Sequence, residues 1–147
     1  MTQEASAQTV LGTFDGTQLE YLGVRARMLR GPRGEFSMSF TSERTQRSWS
    51  ATVERTVGSH RYQQYLARDE DLYVRLPIAW DVSERRFIHM NGAFLTADPD
   101  LDAGNSEVAP ADYNRHVTVW NDNCVFCHNV APNPGLDDRP HRDALRA

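Results

Sequence analysis

The chain contains no lysine: all 16 of its basic residues are arginine, and against 20 acidic residues they leave a formal charge of −4. With no cationic excess there is no general attraction to phosphate backbones or anionic lipid, which excludes nucleic acid as an expected partner. No apolar run approaches the ~20 residues a membrane-crossing helix needs. The opening stretch, MTQEASAQTVLG, has neither the basic nor the apolar region of an export signal. Cysteine occurs twice, at Cys124 and Cys127, too rarely for a disulfide framework. Nor is there the bias of a disordered or collagen-like chain, since 39% of the residues are hydrophobic and 24% charged. A length of 147 residues is enough for one core and too short for two independent folds.

What is present, from residue 10 onward, is a succession of short strand signals. Residues 1–9 are polar and are expected to be a disordered tail. Asp15-Gly16 marks a tight turn between Val10–Phe14 and Leu19–Leu22, and Gly31-Pro32-Arg33-Gly34 a second between Val24–Leu29 and Glu35–Thr41. Phe36, Met38 and Phe40 alternate with Ser37, Ser39 and Thr41, the period of a half-buried strand. The alternation resumes through Trp49, Ala51, Val53 and Val57, with Arg55 intruding on the apolar face. Tyr62–Leu66 and Leu72–Trp80 flank Asp69-Glu70-Asp71 as a hairpin, with Pro77 calling for an edge or a bulge. Arg86–Met90 follows the turn Ser83-Glu84-Arg85. Together these predict a β-rich region over residues 10–95, forming an antiparallel sheet or a partly open barrel.

The composition then changes. Residues 96–111 form an acidic connector with Asp98, Asp100 and Asp102; its glycine falls at Gly104 and Ala109 stands where a calcium loop needs glutamate, so calcium is excluded. Tyr113, Val117, Trp120, Cys124 and Cys127 recur at four- and three-residue steps, which predicts a helix over 112–131, with residues 132–147 as a charged tail. The expected fold class is therefore α+β, mainly β, ending in a haem-bearing helix.

The helix is called haem-bearing because of Cys124-Val125-Phe126-Cys127-His128. The pattern C-x-x-C-H is the attachment site of c-type haem: two sulfurs on one side of a turn bond the two vinyl groups, and the adjacent imidazole ligates the iron. A zinc site would require further ligands, and no second C-x-x-C and no pair of histidines at zinc spacing is present. A thioredoxin-like dithiol belongs at the start of a helix after a strand, which is not the expected context here.

Several further segments share an order. Gly58-Ser59-His60-Arg61-Tyr62-Gln63-Gln64-Tyr65-Leu66, Leu76-Pro77-Ile78-Ala79-Trp80-Asp81, Arg86-Phe87-Ile88-His89 and Trp120-Asn121-Asp122-Asn123-Cys124-Val125-Phe126-Cys127-His128 succeed one another as a consecutive block. This block, with Val10-Leu11-Gly12 ahead of it, resembles bacterial multihaem c-type cytochromes over about residues 10–135. The resemblance implies that Cys124 and Cys127 hold haem c, that His128 is its proximal iron ligand, and that the protein carries electrons in the periplasm or another extracytoplasmic space. Members of that family are longer, with an export signal and more haem sites, so the chain is also readable as a segment of a multihaem protein.

A sixth iron ligand has several candidates. His60 lies at a strand entry where a turn can aim it, and His116 is some 12 Å along the expected helix from Cys124, a distance suited to another haem. His89 and Met90 are strand neighbours, of which only one can face a given side. Met28 and Met38 fit strand cores, and His141 falls in the tail. Trp120, Phe126, Tyr113 and Trp80 are candidate haem walls, and Arg85, Arg86 and Arg115 candidate partners for the propionates. The expected partners are a redox protein or neighbouring haem domains. Two alternatives stand beside electron carriage: a β-rich interaction module whose C-x-x-C binds zinc or stays as thiols, and a part of a catalytic multihaem oxidoreductase.

Overall fold

Phe36, Met38 and Phe40 set the pattern of the molecule. In a computed structural model, which describes residues 2–21, 23–69 and 72–90, all three are buried, while Ser37, Ser39 and Thr41 point outward. They belong to β4 (Phe36–Ser42), which pairs antiparallel with β3 (Val24–Arg30) across the Gly31–Gly34 turn. β2 (Gln18–Tyr21) and β5 (Ser48–Val53) flank this hairpin and complete a four-stranded sheet in the order β2-β3-β4-β5. In register, Met28 faces Met38, which faces Ala51, and Ala26 faces Phe40, which stacks on Trp49. Side chains of successive residues point to opposite faces of a strand, so this register gives one apolar and one polar face.

The second sheet has five strands in the order β1-β6-β7-β8-β9: β1 (Thr2–Glu4), β6 (Arg55–Val57), β7 (Tyr62–Asp69), β8 (Leu72–Asp81) and β9 (Arg86–His89). β5 passes into β6 through Glu54, so one continuous stretch of chain serves both sheets. Between the apolar faces lie Phe14, Met28, Met38, Phe40, Tyr65, Leu76, Ile78 and Phe87, each at most 6% exposed. Burial of each such side chain contributes about 1.5–3 kcal/mol. Phe14 sits among three aromatic rings, edge-on to Phe36 at 5.2 Å, Tyr65 at 5.4 Å and Phe87 at 5.6 Å.

The architecture corrects the α+β expectation. The described residues form two antiparallel sheets in place of a single sheet or open barrel, and the haem-bearing helix is not seen among them. The physical reason is mutual cover: each sheet buries the apolar face of the other, so the core closes without a helix. The connector 96–111, the segment 112–131 and the tail 132–147 lie outside the described residues.

Two further expectations change. The stretch 1–9, expected as a disordered tail, contributes β1, and beyond it Thr9 Oγ1 donates to the Glu4 carbonyl at 2.6 Å. Backbone pairing to β6 fixes this stretch without any large apolar anchor. Val10–Phe14, expected as a strand, is irregular. Its backbone is satisfied by a side chain: the buried Gln63 accepts from the Leu11 amide at 2.8 Å and donates to the Thr9 carbonyl at 2.7 Å. A buried amide that meets the chain in this way replaces a ladder.

Pro77 lies in an interior strand, at an irregularity. Gln64 pairs with Ala79 but Leu66 pairs with Arg75, so the register shifts across Tyr65, opposite the proline. On the other side Pro77 lies beyond Ile78, where the pairing with β9 stops. Its missing N–H therefore interrupts no ladder bond.

Candidate functional site

The two described histidines are brought to different places. His60 is exposed in the β6–β7 turn, where Gly58 adopts a left-handed φ of +81° that relieves the tight reversal. Its Nδ1 lies 3.3 Å from the Ser59 hydroxyl. A contact at Nδ1 leaves Nε2 directed away from it, the arrangement in which an imidazole is presented to a metal.

His89 ends β9 and lies flat on Tyr21 of β2, with ring centroids 3.9 Å apart and planes inclined by 22°. The two sheets meet at this point. Loss of solvent lowers the imidazole pKa from its ordinary 6.5 to about 4, so His89 is neutral at pH 7. Met90, the next residue, is buried at 3% exposure.

Register keeps His60 and His89 apart. Tyr62 pairs with Asp81, which pairs with Arg86, whereas His89 pairs with Ile78. The two histidines are thus separated by two strand spacings, roughly 10 Å, and along the sheet by the three residues from Arg86 to His89, roughly 10 Å, with the two residues from Tyr62 back to His60 adding to that offset. They are not a pair of ligands for one iron.

Trp80 and Arg85, read from the sequence as a haem wall and a propionate partner, converge on one groove. Leu11, Thr13 and Val82 complete its lining, and its volume is about 400 Å³. Trp80 is held from behind by Phe87, edge-on at 4.9 Å. Leu11 is 42% exposed, the one large apolar side chain so exposed among the described residues, while its amide is fixed by Gln63. Arg85 is carried at a φ of +52° in the β8–β9 turn and has no ion pair or hydrogen bond among the described residues. Asp81 shapes the turn: its carboxylate accepts from the Ser83 and Glu84 amides, each at 2.9 Å, and from the Ser83 hydroxyl at 2.7 Å. These donors, the Glu84 amide foremost, hold its pKa below the usual carboxylate value. Arg86 is committed to Glu84.

A second cleft, of about 510 Å³, opens where β5 and β7 diverge, lined by Ala51, Ala67 and Val74 with Glu54, Arg68 and Asp69 at its rim. Arg68 is engaged there, 3.4 Å from Glu54 and 3.3 Å from the Tyr73 hydroxyl. Arg55 lies over the same Tyr73 ring at 5.3 Å, which explains its intrusion on the apolar face.

Cys124, Cys127, His128, Trp120, Phe126 and His116 lie outside the described residues. Among the described residues, no three histidine, cysteine or acidic side chains converge as a metal site, and no helix is long and apolar enough to cross a membrane. Comparison with family models, curated proteins and solved structures returns no match. The expectation of haem therefore stands on the sequence alone, on two thiols three residues apart and an adjacent imidazole.

Tyr21 and Leu11 were not singled out by sequence reasoning. A signal for Leu11 existed in the alternation of Val10–Phe14, which sets Leu11 opposite Phe14; with Phe14 buried, Leu11 faces out. Nothing local signals Tyr21, whose role depends on a residue 68 positions later, His89.

Proposed function

We propose that the chain is an electron-carrying segment of the c-type cytochrome kind, with haem c bonded at Cys124 and Cys127. The observation that carries this reading is the contiguous pattern Cys124-Val125-Phe126-Cys127-His128. Cys124 and Cys127 would hold the porphyrin through thioether bonds, and the His128 imidazole would ligate its iron. When bound, the group supplies one-electron exchange at its iron. The protein's share is to fix the ligands, exclude water from the ring and present an edge to a redox partner or to a neighbouring haem. Among the described histidines, His60 is the better presented sixth ligand, because it is exposed and contacted at Nδ1. His89 is stacked and turned to the seam between the sheets. Attachment of haem c occurs outside the cytoplasm, so an extracytoplasmic location belongs to the same proposal.

Expression of the chain with an export signal and haem-maturation machinery tests it. The expected product is red, shows a Soret band and keeps its haem through denaturing electrophoresis. A colourless product with one zinc ion or two free thiols per chain would support the β-rich interaction module instead. A high-spin spectrum that responds to added ligands would point to a catalytic haem.

A further inference from the structure

We infer that β5 is a docking edge for a second copy of this chain, the two β5 strands pairing antiparallel about a twofold axis at Ser50. Haem takes no part in this pairing. Three features of the strand converge on it. The first is an open ladder. β5 is the last strand of its sheet and is paired on the β4 side only. Among the described residues, no group bonds the main chain of Ser48–Thr52 on its other side. Pairing toward the second sheet begins only at Glu54, whose amide donates to the Leu66 carbonyl at 2.9 Å. Strand edges are ordinarily blocked by a charge, a proline or a bulge. Ser48-Trp49-Ser50-Ala51-Thr52 has none of these, and its register with β4 runs unbroken. The other three edges are guarded: β1 has three residues and ends in Glu4, β2 carries Glu20 ion-paired with Arg25, and β9 opens with Arg86.

The second is shape. Two sheets join with continuous faces only where inward residues oppose inward ones. With Ser50 opposite its own copy, Trp49 faces Ala51 of the other chain and Ser48 faces Thr52, at the cross-strand separation of about 4.5–5.5 Å between Cβ atoms. Ala51 lines the cleft of about 510 Å³ between β5 and β7, together with Ala67 and Val74. These small side chains leave room for an indole, so each Trp49 enters the cleft of the other copy. Trp49 is half-buried: one ring face stacks on Phe40 at 4.0 Å, and the other is turned away from β4, toward the open edge. A tryptophan seated in a pocket is the usual anchor of an interface.

The third is charge. Arg47 precedes the strand and Glu54 follows it, while Ser48–Val53 is neutral. Antiparallel pairing sets the positive end of each strand beside the negative end of the other and brings no like charges together between them. Each copy has one such edge, so the twofold axis closes the assembly at two chains.

Sedimentation velocity of the full chain over a range of concentrations tests the pairing, under reducing conditions that exclude a cross-link through Cys124 or Cys127. The expected result is a monomer–dimer equilibrium, with amide exchange in Ser48–Thr52 slowing as the dimer forms. The Ser50 side chain lies on the outer, exposed face, so substitution there leaves the core untouched. Ser50→Lys sets two cations across the axis and is expected to weaken the dimer by at least about tenfold, and Ser50→Glu to do the same with two anions. Mixing the two variants is expected to restore a dimer of one copy of each, because opposite charges then face one another; this rescue also shows that both variants fold. A chain that stays monomeric, a dimer indifferent to both substitutions, or a mixture that associates no better than its components would overturn the pairing, and none of these results bears on the haem reading.

Discussion

Tyr21 lies flat against His89 across the seam of the sandwich, 3.9 Å between ring centroids, and so ties the last strand of one sheet to the first strand of the other. No ladder joins the sheets at this edge among the described residues, so the seam depends on side chains. Tyr21→Ala is expected to cost about 1–2 kcal/mol, from lost ring contact and lost area. It should also let water reach His89 and raise its pKa toward 6.5. Denaturant unfolding and an NMR titration of the imidazole measure the two effects. An unchanged titration would show that Tyr21 is not what shields the ring.

The same histidine sets a pH dependence. Its folded pKa is about 4 against an ordinary 6.5. Between these values the unfolded chain binds a proton that the folded chain does not. Stability therefore rises with pH across that window: the contribution is complete above pH 6.5 and lost below about pH 4. His89 retains some contact with solvent, so about 1 kcal/mol is the scale to expect. His89→Phe keeps a stacked ring and removes the proton, and urea unfolding between pH 4 and 7 should show a shallower slope for this variant. Equal slopes would contradict the account.

Gly12 is packed against the core. A methyl group at its Cα would lie 2.5 Å from Tyr65 Oη and 2.8 Å from Phe87 Cζ, and both rings are buried. Gly12→Ala is expected to destabilise by about 2–3 kcal/mol, as overpacking does. Among the described residues the buried Tyr65 hydroxyl makes no hydrogen bond of good geometry, the Gly12 backbone being its nearest polar neighbour, and burial raises its pKa. Tyr65→Phe should therefore be neutral or stabilising by up to about 1 kcal/mol, and it should relieve part of the Gly12→Ala penalty. A double-mutant cycle measured by thermal unfolding reads that coupling; strictly additive effects would place the clash elsewhere.

Gln63 replaces a strand pairing. Its side chain serves the Leu11 amide and the Thr9 carbonyl at once, from a position 1% exposed. Gln63→Leu leaves both groups without their partner and is expected to cost about 2–4 kcal/mol. Hydrogen exchange at the Leu11 amide should accelerate more than exchange in β3 and β4. Uniform acceleration across the molecule would indicate a global loss in place of a local one.

How much of this was legible depends on the range of the interaction. The hairpin of β3 and β4 could be read because Gly31-Pro32-Arg33-Gly34 and the alternation from Phe36 are local signals. Val10–Phe14 could not, because what replaces its ladder is Gln63, more than fifty residues away. β1 was missed for a similar reason: its pairing with β6 is a backbone matter to which Thr2, Gln3 and Glu4 contribute no apolar signal. Pro77 reads as calling for an edge or a bulge; the strand is interior, and the proline sits opposite a register shift. The expected helix over 112–131 rests on spacing and on end signals such as Asp112 and Pro132; it lies outside the described residues, whose core closes with two sheets. Within the candidate site, Trp80 and Arg85 were named from the sequence, but their convergence with Leu11 is a product of the fold. The C-x-x-C-H pattern is legible without a fold because its chemistry lies within five consecutive residues.

The most direct measurement is the mass of the peptide spanning Cys124 to His128, taken from mature protein produced in its native host. The expected result is a single peptide heavier by one haem, with neither sulfur open to alkylation and the porphyrin retained after digestion. Two free thiols on that peptide, with no tetrapyrrole bound anywhere on the chain, would contradict the account.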